Sequence, residues 1–295
     1  MKKKIKFIKS RGIAFVFSAI LINASITLLA TKGLNFGTDF TGGILMDIKS
    51  NVSVDLSKIR SNLNNLNIGE VNIQTFGTEN DLLINIQKPA NNDSQTTIKT
   101  VQDSLNETLG AKNLEYRRVE FVGPTVGKEL IRAGILAVVL SMGAMLIYIW
   151  IRFEWQFGLS AIIALSHDII ATLGLFAITR MEFNLTTVAA ILTIAGYSIN
   201  DTVVVFDRIR ENLRKYHKMP LPELLNNSIN EMLRRTILTS FTTLIALFSL
   251  YIFGGQVIKG FVTALIFGVV IGTYSSIFIA SSLLIYMKLK RAGEQ

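Results

Sequence analysis

Hydrophobic positions in this chain fall into two patterns, one of long unbroken runs and one of short alternating stretches. The long runs lie at about 12–30, 131–151, 157–179, 185–206, 236–253 and 261–287. Each approaches the roughly 20 apolar residues that a helix needs to cross a bilayer, so they predict six transmembrane helices. Their connections are uneven. Residues 152–156, 180–184 and 254–260 are short links, 207–235 is a basic loop, and 32–130 is long enough to be a domain.

Within 32–130 the period changes. Residues 43–49 place Ile44, Met46 and Ile48 on one face, the alternation of a half-buried strand. Ser53 is positioned to cap a helix carrying Leu56, Ile59, Leu63 and Leu66, and 71–76 and 82–87 read as strands joined by Gly77-Thr78-Glu79-Asn80. Ser94 is positioned to cap a second helix through Ile98, Val101, Leu105 and Leu109, ended by Gly110, and a last strand follows at 114–122. The Asn-rich segments 62–67 and 91–92 read as loop and helix-end composition. The order is β-α-β-β-α-β, a ferredoxin-like pattern. The expected fold is therefore a membrane α-helical bundle of six transmembrane helices with an inserted extracytoplasmic α+β ferredoxin-like domain.

Composition agrees with a membrane protein: 50% of the 295 residues are hydrophobic and only 17% are charged. The net charge of +9 is concentrated at the ends of the apolar runs, which makes it a topology signal rather than a nucleic-acid footprint. Lys2, Lys3, Lys4, Lys6, Lys9 and Arg11 precede the first run. That run is longer than a signal-peptide core, and Thr31-Lys32-Gly33 is no clean cleavage site, so it is expected to be retained. With alternating topology, the N-terminus, the loop 207–235 and the tail 288–295 are cytoplasmic, the domain 32–130 is external, and 131–287 holds helices two to six. The expected location is a cytoplasmic membrane, crossed in multiple passes.

The sequence contains no cysteine and two histidines, His167 and His217, which leaves no thiolate chemistry and little basis for a metal site. No nucleophile–base pair, P-loop or metal-ligand spacing points to an enzyme or a cofactor. The unusual residue is Asp201, inside the run 185–206. A charge at mid-helix costs roughly 2.5–3.5 kcal/mol on insertion scales, so an intramembrane carboxylate is a functional candidate by default, the alternative being neutral hydrogen-bonding glue between helices. It lies about six residues from the end of the run, on the order of 9 Å deep. Arg235 opens the next run at the same end. Desolvation favours a neutral acid and a nearby guanidinium the ionised one, so the pair has the makings of a switchable proton site.

Ile194, Tyr197, Asp201, Val204 and Arg208 share one helical stripe, and Thr193, Gly196 and Asn200 form a small, polar one beside it. Thr236, Thr239, Ser240 and Thr243 recur at helical spacing in the fifth run; they either bond back to their own helix carbonyls or line a hydrated path towards Asp201. Gly268 and Gly272 favour close helix packing. Asp168, next to His167, is either a second relay member or a packing residue, and the packing role is favoured because adjacent residues diverge on a helix. Asp207, beside Arg208 and Arg210, is expected to be solvated.

Five separated motifs resemble one family. They are Gly37-Thr38-Asp39-Phe40-Thr41-Gly42-Gly43, Phe121-Val122-Gly123-Pro124-Thr125-Val126-Gly127, the stretch 198–212 around Asn200-Asp201-Thr202, the stretch 235–244 from Arg235-Thr236 onward, and Gly272-Thr273-Tyr274-Ser275-Ser276 continuing to Ala280. In this order the chain resembles the SecD/SecF family of bacterial protein-export membrane proteins, within the resistance-nodulation-division superfamily. The resemblance implies a subunit of a SecD–SecF complex that assists the Sec translocon by using the proton-motive force to pull preproteins across the membrane. It implies that Asp201 and Arg235 take part in proton conduction and that no cofactor is needed beyond the transported protons; Asn200, Thr239 and Asp168 are weaker candidates by their placement in the apolar runs.

The partners implied are SecD, the Sec translocon channel, unfolded preprotein and membrane lipid, with no nucleic acid. Six helices are half of the superfamily's twelve, so a partner is expected to complete the unit. Gly37, Asp39, Gly42 and Gly43 mark a candidate hinge leading into the domain. Two other functions stay open: a self-associating proton-driven exporter of small molecules, and a passive scaffold of the translocon.

Overall fold

The computed structural model describes residues 5–76, 78–87, 94–255, 258–287 and 289. The lysines at 2–4, Gly77, the Asn91-Asn92 pair and all of the tail 288–295 except Leu289 lie outside these.

Among the described residues, six helices are long and apolar enough to cross a membrane. They are α1 (Arg11–Thr31), α5 (Pro124–Arg152), α6 (Trp155–Thr179), α7 (Leu185–Lys215), α8 (Leu221–Phe253) and a sixth that starts as α9 (Lys259–Tyr274). Helix α7 is central and packs against α5, α6, α8 and α9, while α1 lies along α6. The outer helices present Ile13 and Ile20 of α1, Ile135 and Val139 of α5, and Phe241 and Phe248 of α8 as exposed apolar side chains. In lipid such a surface carries no penalty, because acyl chains are as apolar as leucine.

Two boundaries differ from the hydrophobic pattern. Residues 207–235 are not a loop: α7 runs on to Lys215 and α8 begins at Leu221, leaving a short turn between them. The extension is amphipathic and buries Ile209, Leu213, Leu224, Leu225 and Ile229 against Phe7 and Ile8. It also pins the N-terminal segment, since Asn230 donates to the Ile5 carbonyl at 2.8 Å and accepts from its N–H at 3.0 Å. Charged residues had disguised a helix whose apolar face meets protein rather than lipid. Asp207 is solvated as expected, its side chain 44% exposed, and it also forms an ion pair with Arg152 at 3.0 Å.

The last span is interrupted. After Tyr274 the chain makes a π-helical segment, Ser275–Ala280, then α10 (Ser281–Leu283) and a 3-10 turn, Leu284–Tyr286. Such insertions re-aim side chains and are frequent at functional sites.

The segment between α1 and α5 opens with β1 (Asn35–Phe36) and the single-turn α2 (Thr38–Thr41). A β-α-β-β-α-β unit follows: β2 (Gly43–Ser50), α3 (Leu56–Asn65), β3 (Glu70–Phe76), β4 (Thr78–Gln87), α4 (Ser94–Leu109) and β5 (Leu114–Val122). The four strands form one antiparallel sheet in the order β3-β4-β2-β5. Ile44, Met46 and Ile48 are fully buried, as their alternation requires, against Ile59, Leu63, Val101 and Leu105 of the two helices.

Asp55, not Ser53, caps α3, its Oδ1 accepting from the N–H groups of Ser57 and Lys58 at 2.9 and 3.2 Å, the reach of an N-cap side chain. Thr78, Glu79 and Asn80 belong to β4 rather than to a turn, because strand pairing continues to a bulge at Thr75/Phe76. Leu66 is exposed because α3 ends before it, and Asn67 takes the left-handed conformation that closes the helix.

Candidate functional site

Helix α7 carries Ser198, Asn200, Asp201 and Thr202 through the middle of the bundle. Asp201 is buried, and its Oδ2 has no hydrogen-bond partner among the described residues. The Arg235 guanidinium lies close enough for its charge to act on Asp201 without forming an ion pair. Arg235 is not at a helix start, since α8 began at Leu221; it stands where the charged extension gives way to the apolar part. There it lines, with Arg152, Arg208, Arg210, Val204 and Met232, an open basic basin of about 720 Å³. Next to Arg235, Thr236 is buried and its hydroxyl also lacks a partner among the described residues.

The weaker candidates are placed differently. Asn200 is exposed on the outer side of α7 with Thr193. Thr239 is exposed and bonds back to the carbonyls of Arg235 and Thr236 at 3.1 and 2.9 Å. Thr243 does the same towards Thr239. Ser240 is the exception, meeting Thr273 of α9 at 2.7 Å and accepting from the Tyr197 hydroxyl at 3.4 Å.

Asp168 on α6 is fully buried and fully engaged. Its Oδ2 accepts from Ser198 of α7 at 2.6 Å and from Ser275 of the π-helical segment at 2.7 Å, and its Oδ1 lies 3.0 Å from His167 Nδ1. The expectation that the adjacent pair diverges is overturned, since the imidazole meets its neighbour's carboxylate directly. Thr202 and Ser276 add a further bond at 3.0 Å, and Ser160 donates to the Ala280 carbonyl at 2.5 Å. Reading the sequence missed this hydroxyl cluster as a site. Its signal was Ser198 together with the run of serines in 275–282, polar residues within apolar stretches. Gly268 and Gly272 make the contact possible: a Cβ on Gly268 would overlap Ile194, and one on Gly272 would press on Ser198 at 3.1 Å.

At the other end of α7, the candidate hinge residues form a docked joint. β1 pairs in parallel with β6 (Glu182–Phe183), the short link between α6 and α7. Asp39 Oδ2 accepts from the N–H of Leu185 at 2.9 Å, satisfying an amide at the start of α7 that has no intrahelical partner. Phe36, Phe40 and Phe183 pack mutually with centroids 5.9 Å apart, and Phe176 closes the seat at 5.8 Å. Glu182 accepts from Asn85 of β4 at 3.3 Å. Its carboxyl is pushed above the usual glutamate range by burial and by the charge of Asp39, against a backbone bond from Thr38. A side chain at Gly37 would collide with this carboxyl, and Gly43 takes φ +146° with its α-carbon against the Ile86 carbonyl. Glycine is required at Gly43, whereas at Gly37, with φ −74°, a side chain would displace the Glu182 carboxyl.

The chain matches the family model for the C-terminal region of the SecD/SecF protein export membrane proteins over residues 95–290, and the SecD/SecF GG motif over 27–54. It is 48% identical to a protein translocase subunit SecF of Rickettsia bellii over 94% of this chain and 91% of that one. It is 47% identical to that of Rickettsia prowazekii over 94% and 89%. Its structure resembles the crystal structure of SecDF, described as a translocon-associated membrane protein, from Thermus thermophilus, with TM-score 0.83, 32% identity and 97% of this chain covered. A super-membrane-facing form of SecDF gives TM-score 0.73. The chain spans 39% of the length of either SecDF chain.

Proposed function

The chain belongs to the SecD/SecF family of protein-export membrane proteins, and we propose that it acts there as a subunit coupling proton flow across the membrane to movement of its external domain during polypeptide export. The observation that carries this reading is Asp201, a buried carboxylate with an unsatisfied oxygen, within range of the Arg235 charge, on a helix whose far end is tied to the external domain through Asp39. Displacement of Arg235 changes the field at Asp201, and with it the proton that the carboxyl holds. One charge crossing the membrane releases about 2.3 kcal/mol per 100 mV, comparable with the cost of separating a weak interface.

The relatives' description as translocase subunits supports the export assignment and a SecD-type partner. The antiparallel order β3-β4-β2-β5 supports a ferredoxin-like reading of the domain. The basic residues of the α7–α8 extension support its placement in the cytoplasm, with the domain outside. The Sec channel and unfolded preprotein are the further partners that this reading implies.

Asp201→Asn in the intact complex tests it, with preprotein export measured in vesicles with and without an imposed proton gradient and subunit accumulation checked by immunoblot. Asparagine keeps a hydrogen-bonding shape but carries no proton. The expected result is normal assembly with loss of the gradient-dependent part of export. Full retention of the gradient response would make Asp201 structural and the chain a passive scaffold.

A further inference from the structure

The joint between the external domain and the outer end of α7 contains a half-buried acid that the proton path through Asp201 does not use. Glu182 sits in the link between α6 and α7, in a cleft of about 400 Å³ that separates the open face of the sheet from the membrane helices. Its carboxylate meets the domain at three places, accepting from Asn85 of β4 and from the Thr38 backbone and lying against Gly37 of the β1–α2 turn. Desolvation together with the charge of Asp39 outweighs the Thr38 bond. The charged groups facing it are few. Asp39 of α2 is the closest in effect and has the same sign. Asp47 of β2, Arg118 of β5 and Lys259 of α9 line the same cleft. Arg180, on Glu182's own link, is committed to the carbonyls of Lys32 and Gly33 at 2.9 and 3.0 Å. No ion pair to Glu182 is formed among the described residues within this arrangement.

We propose that Glu182 is a proton-operated latch: neutral, it holds the external domain docked on the outer end of α7, and ionised, it loosens the joint. The physical basis is that docking takes a carboxyl out of water and sets it beside Asp39, so the docked state disfavours the anion while the undocked state, hydrated, does not. The sign follows from proton linkage. The docked state holds the proton more tightly, so docking is strongest at low pH and weakens as pH rises from the ordinary glutamate value through the raised one. Because Asp39 also accepts from the Leu185 N–H at the start of α7, release of this joint removes the domain's tie to the helix that carries Asp201. Use of the latch in export rests on the proton-driven reading above; the latch itself does not.

The test uses the full chain co-purified with its partner subunit in lipid nanodiscs. The absence of native cysteine lets Gln74→Cys on the sheet and Thr186→Cys on α7, both exposed at the cleft, be spin-labelled and their separation measured across a pH series. The expected result is one short distance at acid pH, with a longer population growing as pH rises. Glu182→Gln, which still accepts from Asn85 but cannot ionise, is expected to keep the short distance throughout. Asp39→Asn removes the neighbouring charge, so Glu182 ionises more readily and the transition moves to lower pH.

A distance independent of pH in the unaltered joint, a Glu182→Gln chain that titrates like it, or an unmoved midpoint in Asp39→Asn each overturns the proposal. No gradient or export enters this readout. Gradient-dependent export surviving in Asp201→Asn would therefore remove the motor and leave the latch, while flat distances would remove the latch and leave the motor.

Discussion

Asp201 and Asp168 are carboxylates on neighbouring helices held in opposite ways, and the difference assigns them opposite consequences on mutation. Asp168 is saturated by Ser198, Ser275 and His167. Its replacement by alanine strands the Ser198 hydroxyl and the His167 imidazole, while Ser275 keeps the Gly272 carbonyl, and each unsatisfied group costs about 1–3 kcal/mol. Asp168→Ala is therefore expected to lower the thermal midpoint of the detergent-solubilised protein sharply. Asp201 has an orphaned oxygen, so Asp201→Asn is expected to leave the midpoint unchanged or raise it; a large drop would show that the carboxylate has a partner in the assembled protein. Glu182 belongs to the same scale. Since burial disfavours its ionised form, Glu182→Gln is expected to raise stability at pH well above the glutamate range and to lose that advantage in acid, where the native side chain is neutral too. Paired melts at two pH values check this, and a pH-independent difference contradicts the assigned cause.

Among the elements, α7 and α9 approach closely because glycine stands where a side chain would collide. A methyl group at Gly268 meets Ile194 of α7 and has no room to relax. Gly268→Ala is expected to destabilise by about 1–3 kcal/mol, the usual cost of overpacking. Trimming the opposing side chain with Ile194→Ala should recover part of that loss in the double variant. Strictly additive effects of the two substitutions would mean that the helices part instead of jamming. The π-helical segment after Tyr274 turns Ser275 to Asp168 of α6 and Ser276 to Thr202 of α7, so the sixth span joins the polar cluster to both helices. The sheet unit holds its register through Ile44, Met46 and Ile48, because a slip by one residue would carry all three to the polar face.

At the scale of the molecule, the helical hairpin around Tyr216–Pro220 and the sheet domain lie at opposite ends of the bundle. Orientation is then a matter of which end faces the cytoplasm. With no cysteine in the sequence, a single label reports it. Gln74→Cys is expected to react with a membrane-impermeant maleimide on intact spheroplasts, and Lys218→Cys only after permeabilisation. The reverse pattern would invert the topology and the direction of proton entry with it. The exposed apolar faces of α1, α5 and α8 and the small, polar outer stripe of Thr193, Gly196 and Asn200 are the surfaces left for lipid and for a partner subunit.

Six spans, an inserted β-α-β-β-α-β unit and an anomalous carboxylate at 201 were determined by the sequence alone. Burial in lipid and pairing in a sheet each impose a period that local residues must obey: twenty apolar positions in one case, alternation in the other. Arg235 was also legible, because charge at the end of an apolar run is conspicuous.

The tertiary structure alone decided which polar groups meet. Ser198 and Ser275 converge on Asp168 across 107 residues of chain, and Asp39 finds the amide of Leu185. Glu182, in a link that looked like a plain connector, faces Asn85. Such contacts depend on helix rotation and on close approach at glycines, neither of which leaves a periodic trace. The same reason hid the helix within 207–235, whose apolar face is covered by Phe7 and Ile8 from the far end of the chain.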